Sequence, residues 1–66
     1  MKIKSVMIEI DVESETFADA PEREVSRILV ALATRLLVAG LRPMKLADFN
    51  GNTVGGMSVR GLGLPE

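Results

Sequence analysis

Polar and apolar residues alternate at the start of the chain. Val6, Ile8, Ile10 and Val12 are separated by Ser5, Met7, Glu9, Asp11 and Glu13. A period of two is the mark of a half-buried strand, predicted here from about Lys2 to Glu13. The even positions should face a core. The odd positions should face water, with Glu9, Asp11 and Glu13 in one outward row.

Ser14 to Ala20 breaks the alternation and reads as a loop, with Phe17 plugged against the core. A helix is predicted from about position 21 to Ala39. Val25, Ile28, Leu29, Leu32, Leu36 and Ala39 share one arc of the 3.6-residue wheel, opposite Arg23, Arg27 and Thr34. Two starts fit. Asp19 can cap with Glu22 at the capping-box spacing, or Ala20 can cap with Pro21 as the first helical residue. Gly40 is suited to a left-handed ending with Leu41 folded back on Leu36, and Pro43 blocks continuation.

A hairpin follows. Lys45 to Asp48 reads as a short strand. Asp48-Phe49-Asn50-Gly51 matches a type I turn, with a two-residue Asn50-Gly51 turn as the competing register. Asn52 to about Arg60 reads as the return strand. A bulge at Gly55-Gly56 would let Val54, Met57 and Val59 all point inward. The order β-α-β-β predicts an α+β fold, one helix on a three-stranded antiparallel sheet of order 1-3-2. Residues 1–60 make one domain and residues 61–66 a frayed tail.

Composition narrows the chemistry. The 66 residues include no Cys and no His, and 47% are apolar. Disulfides, thiolate metal sites and histidine ligands are therefore absent, and folding must rest on one small core. Nucleophilic triads lack a base for Ser5, Ser14, Ser26 or Ser58, so no enzymatic activity is expected. Asp48 to Asn52 resembles a calcium loop superficially, but no acid closes it within positions 53–60, and a hairpin turn is the better reading. Gly55-Gly56 and Gly61-x-Gly63 precede no helix and match no phosphate-binding fingerprint. No cofactor or metal is expected. No signal-peptide or membrane-spanning pattern is visible, which points to the cytoplasm.

Charge is polarised. The formal net charge is −1, yet residues 1–26 hold seven acids against three bases, and residues 27–66 hold five bases against two acids. Glu9, Asp11 and Glu13 should recur every ~6.6–6.8 Å along the strand, a repeat on the scale of successive phosphates. Glu15, Asp19 and Glu22 could carry the row round the edge of the domain. The plain reading is a solubilising face; the sharper one is a DNA-mimicking surface that docks on a basic groove. Arg23, Arg27, Arg35 and Arg42 offer a competing, direct contact with nucleic acid, set against a slight acidic excess. Val30 and Leu37 lie off the buried stripe of the helix. They are either covered by Leu41, Leu62 or Leu64, or form a homodimer seam or partner patch.

The stretches Glu24-Val25-Ser26-Arg27-Ile28-Leu29, Leu32-Ala33-Thr34-Arg35-Leu36 and Leu46 to Gly55, with Asn50-Gly51-Asn52-Thr53-Val54-Gly55 at the turn, resemble small phage- and prophage-encoded proteins of unknown function. The resemblance covers most of residues 6–59 and rests on structural motifs. It implies a stoichiometric binder of host machinery, of which anti-CRISPR inhibitors are one class, and it transfers no functional site.

The leading expectation is thus a non-enzymatic, phage-type inhibitor of a host defence nucleoprotein complex such as a CRISPR effector. Glu9, Asp11, Glu13 and Glu15 would compete with nucleic acid. Arg27, Val30 and Leu37 would form a second contact. The alternatives are a small nucleic-acid-binding accessory protein and a structural homodimer or assembly factor.

Overall fold

Alternation along residues 2–10 is realised as β1 (Lys2–Ile10), followed by a 3-10 turn (Glu15–Phe17), α1 (Pro21–Ala39), β2 (Met44–Ala47) and β3 (Thr53–Leu62). The computed structural model describes residues 2–62, Leu62 by its backbone alone. β3 is central and antiparallel to both neighbours, giving the sheet order β1-β3-β2. The fold is α+β with the expected topology.

Phe17 is buried as a plug, and with Ile28, Leu32, Met44, Leu46, Met57 and Val59 it forms the core; Ile10, Val25, Leu36 and Val54 pack around it. The helix starts with Ala20 as N-cap and Pro21 as the first helical residue, and no side chain caps it. Asp19 is therefore not the cap. At the other end the Gly40 N–H donates to Leu36 O at 2.9 Å. Gly40 takes a positive φ of 85°, as a glycine can, but its ψ of 178° is not that of the left-handed helix, so the expected Schellman ending does not form.

The turn after β2 is the expected type I. Gly51 N–H donates to Asp48 O at 3.0 Å, and Gly51 takes a positive φ of 86° that suits glycine. The two-residue alternative is excluded by that register.

Four boundaries differ from expectation. β1 stops at Ile10, because Asp11 turns its carboxylate back to accept the Glu13 N–H at 2.9 Å and the chain leaves the sheet. β2 is shifted one residue earlier, to Met44–Ala47. β3 continues through Gly61 and Leu62, which pair with Ile3 and Lys2. The tail predicted from Gly61 thus begins later, and its remainder lies outside the described residues. The hairpin bulge falls at Val54, between the rungs Leu46–Gly55 and Ala47–Thr53, rather than at Gly55-Gly56. It still has the expected effect: Val54 packs against the core together with Met57 and Val59.

A second bulge has no counterpart in the sequence reading. Ile3 pairs with Gly61 and Ser5 with Arg60, so Lys4 is the extra residue. It shifts parity and puts Ile3 on the same sheet face as Val6, Ile8 and Ile10. Two glycines make the β1–β3 ladder possible. A Cβ at Gly55 would collide with the carbonyl of Glu9, and one at Gly61 with that of Lys2.

The helix does not cover the whole sheet. It sits over β2 and β3, and β1 stays open: Val6 is 41% exposed and Ile8 45%. Val12, expected in the core, is exposed beyond the strand, as are Leu29 and Ala39 of the predicted helical stripe. This one-sided placement of α1 leaves the β1 side of the sheet open to solvent.

Gly55→Ala should destabilise the fold by about 1–3 kcal/mol, since backbone must move to admit the methyl group. Gly56→Ala, whose Cβ would meet only Met44 O at 3.2 Å, should cost less than about 1 kcal/mol. Urea unfolding of the two variants beside the parent checks this ordering.

Candidate functional site

Two surfaces were expected to carry function, and the structure separates them. Glu9 lies on β1, on the sheet face away from the helix, opposite Gly56. Asp11, Glu13 and Glu15 follow in the connection to α1, and all four carboxylates are exposed. Only Glu9 belongs to the strand. The regular row expected from Glu9 through Glu13 therefore ends at its first member, and beyond it the Asp11 turn bends the acids round the tip of the domain. Among the described residues none of the four forms an ion pair.

The second expected contact divides further. Val30 is 64% exposed and Leu37 89%, on the far side of the helix from Ile28 and Leu32. No described residue covers them; Leu41 is itself exposed, and the side chains of Leu62 and Leu64 lie outside the described residues. Arg27 is not a free contact residue. Its Nε and Nη2 donate to Glu24 Oε1 and Oε2, each at 2.9 Å, and Nη2 also donates to Ala47 O at 3.3 Å.

Around that pair lies a cluster that the sequence reading missed. Glu24 is 7% exposed and Asp48 4%. Glu24 Oε2 accepts the Phe49 N–H at 2.8 Å as well as the guanidinium. Asp48 Oδ1 accepts the N–H groups of Asn50 at 3.0 Å and Asn52 at 2.9 Å. Its Oδ2 accepts Asn52 Nδ2 at 3.3 Å and Thr16 Oγ1 at 3.2 Å. The two carboxylates thus tie together the start of the helix, the 3-10 turn and the hairpin. Every buried side-chain nitrogen or oxygen among the described residues has a partner, which is the condition for such a network to be tolerated. One signal was available: Glu24 and Arg27 are spaced i, i+3 on a helix, the spacing of side-chain pairs.

Electrostatics follow from this geometry. The bidentate Arg27 guanidinium, aided by the Phe49 N–H, holds the Glu24 carboxyl below its ordinary range against the opposing effect of burial. Glu24 in turn raises Arg27. At Asp48 burial is the largest influence and pushes upward, but the donors from Asn52, Thr16 and Asn50 together outweigh it and the carboxyl is lowered.

Arg35 completes the helix's attachment. Its Nη1 donates to Lys45 O at 2.9 Å, two residues along β2 from the carbonyl held by Arg27. Two of the four arginines considered for nucleic-acid contact are thereby committed to the edge of β2. Among the described residues no three His, Cys, Asp or Glu side chains are grouped so as to hold a metal ion. Among them, too, no helix is long and apolar enough to cross a membrane. No family model, curated protein or solved structure matches this chain.

Both buried carboxyls are lowered in the folded state. Their contribution is complete above the ordinary carboxylate range near pH 4 and is lost as pH falls through the folded values. Acid titration followed by circular dichroism should show stability flat from pH 7 to about pH 5 and falling below about pH 4. Glu24→Gln, which cannot pair ionically with Arg27, should be less stable at pH 7 and lose less of its stability on acidification. Equal acid sensitivity in the parent and the variant would contradict the assignment.

Proposed function

We propose that this chain is a non-enzymatic binding protein of the anti-CRISPR kind, which inhibits a host defence nucleoprotein complex by occupying a basic, nucleic-acid-binding groove. The observation that carries the reading is the exposed group Glu9, Asp11, Glu13 and Glu15 at one end of the molecule, none of which forms an ion pair among the described residues. Ionised groups in water without counter-charges of their own are free to steer a basic partner and to compete with phosphates for it.

The bend at Asp11 changes the form of the proposal. A straight ladder could match phosphates one for one. A cluster folded round a turn acts instead through its summed field, so partner choice falls to contacts elsewhere on the surface. Val30 and Leu37, along the outer face of α1, are available for that role by their exposure. Arg27 is withdrawn from it, because its guanidinium holds Glu24 and the edge of β2.

Direct nucleic-acid binding is the weaker reading. Arg27 and Arg35 donate to protein acceptors, which leaves Arg23 and Arg42 of the original four. Two separated arginines on a slightly acidic chain make a poor phosphate site.

A purified CRISPR effector with a labelled nucleic-acid target provides the test. The parent should displace the target, and Glu13→Lys with Glu15→Lys should weaken displacement by about tenfold or more while leaving the fold intact. Displacement unchanged by the double reversal would remove the acidic tip from the mechanism. Retention of the parent on a heparin column at low salt would favour the nucleic-acid alternative.

A further inference from the structure

The two edges of the sheet are treated differently. On β2, Arg27 and Arg35 donate to the outward carbonyls of Ala47 and Lys45, so that edge is occupied by its own helix. β1 is the longer edge, at nine residues, and nothing described lies along it. Its backbone alternates in a known sense, because the Asp11 N–H bonds to Val54 O across the sheet at 2.7 Å. The N–H and C=O groups of Ile10, Ile8 and Val6 therefore point away from β3, without a partner among the described residues. Natural edges carry devices against pairing, such as charge, proline or a bulge. Here Lys2, Lys4 and the bulge lie at one end, and Val6 to Ile8 has none.

We infer that β1 pairs antiparallel with β1 of a second copy about a two-fold axis at Met7, joining the two sheets into one of six strands. The residues of β1 are self-complementary about that point. On the helix-facing side, Val6 falls opposite Ile8 of the second copy, and Ile3 opposite Ile10. On the other side the bulge puts Lys4 and Ser5 on one rung, since Ser5 pairs with Arg60 and Ile3 already with Gly61. Lys4 then falls opposite Glu9 of the second copy and Lys2 opposite Asp11. Every base meets an acid and every aliphatic meets an aliphatic, with Met7 on Met7 at the centre. Opposed pairs of this kind stabilise a sheet, and like charges opposed destabilise it. An axis one residue further on, at Ile8, would set Met7 against Glu9 and reach Val12 and Glu13, past the turn, whereas the Met7 axis reaches only Asp11, whose N–H still bonds to Val54 O.

Half-exposed Ile3, Val6 and Ile8 lie beside the open edge. Because α1 lies over β2 and β3, no helix obstructs the joint.

This inference is independent of the functional reading, and it alters which acids remain for a partner. Glu9 and Asp11 would be shared with the lysines of the second copy, leaving Glu13 and Glu15. The tests separate accordingly, since Glu13→Lys with Glu15→Lys should leave self-association unchanged.

Sedimentation equilibrium of the full chain should give twice the 7.1 kDa chain mass. Lys4→Glu and Glu9→Lys each put like charges together twice across the axis, and each should raise the dimer dissociation constant at least about tenfold. Mixed in equal amounts, the two variants restore every opposite-charge pair and should form a 1:1 heterodimer as tight as the parent. Amide exchange supplies the second readout. Val6 and Ile8 should be protected in the parent dimer and exchange freely in either variant alone, while Met7 and Glu9, bonded to β3, stay protected throughout. A parent that is monomeric up to about 1 mM (the weak end of specific association) overturns the inference, as does a dimer insensitive to both reversals. Protection of Val6 and Ile8 that appears only with a different protein would assign the edge to that protein and would also overturn it.

Discussion

A single glutamate fixes where the helix sits. Glu24 receives the Arg27 guanidinium on both oxygens and the Phe49 N–H on one of them, inside a nearly closed environment. That contact ties the first turns of α1 to the hairpin turn. Asp48 then holds the turn itself in shape and draws in Thr16 from the opposite side. A buried carboxylate left without its donors would be strongly unfavourable, so α1 cannot slide across the sheet without dismantling the network. The arginines continue the attachment along β2. The consequence is an asymmetric molecule, with one sheet edge occupied and the other bare among the described residues.

Surface properties follow from this asymmetry. The core is drawn from α1, β2, β3 and the plug Phe17, with Ile10 the one residue of β1 packed against it. The rest of the β1 row keeps its apolar side chains half in water, an arrangement that a 66-residue chain with a small core supports only at some cost in stability. Meanwhile the basic half of the sequence is less available than its charge suggests, because Arg27 and Arg35 serve the fold. The acidic end loses none of Glu9, Asp11, Glu13 or Glu15 to ion pairing among the described residues. The polarity visible in the sequence thus becomes sharper in the folded chain.

Much of the architecture was legible from local pattern. Period-two alternation marked β1, the leucine arc marked α1, and Asp48 with Gly51 specified the turn. Strand order followed from the direction the helix returns the chain. The misreadings have physical causes. Alternation continues through Val12, but the Asp11 side chain captures the Glu13 N–H and ends the strand, a competition that periodicity does not register. The Lys4 bulge was invisible because its cause is distant: Gly61 and Gly55 allow close approach of β1, and neither announces its partner. Arg27 was read by charge as a surface contact, although its i, i+3 spacing from Glu24 was that of a pair. The uncovered face of β1 depends on where α1 is anchored, which only the three-dimensional network decides.

The anchoring role of Glu24 is open to direct observation. A carbon-detected NMR titration of Glu24, read together with the exchange rate of the Phe49 amide, tests it in the intact protein. Glu24 should titrate below the ordinary glutamate range, and protonating it should release the Phe49 amide to solvent. A Glu24 that titrates in the ordinary range, with a Phe49 amide exchanging at the rate of an open loop, would contradict the account.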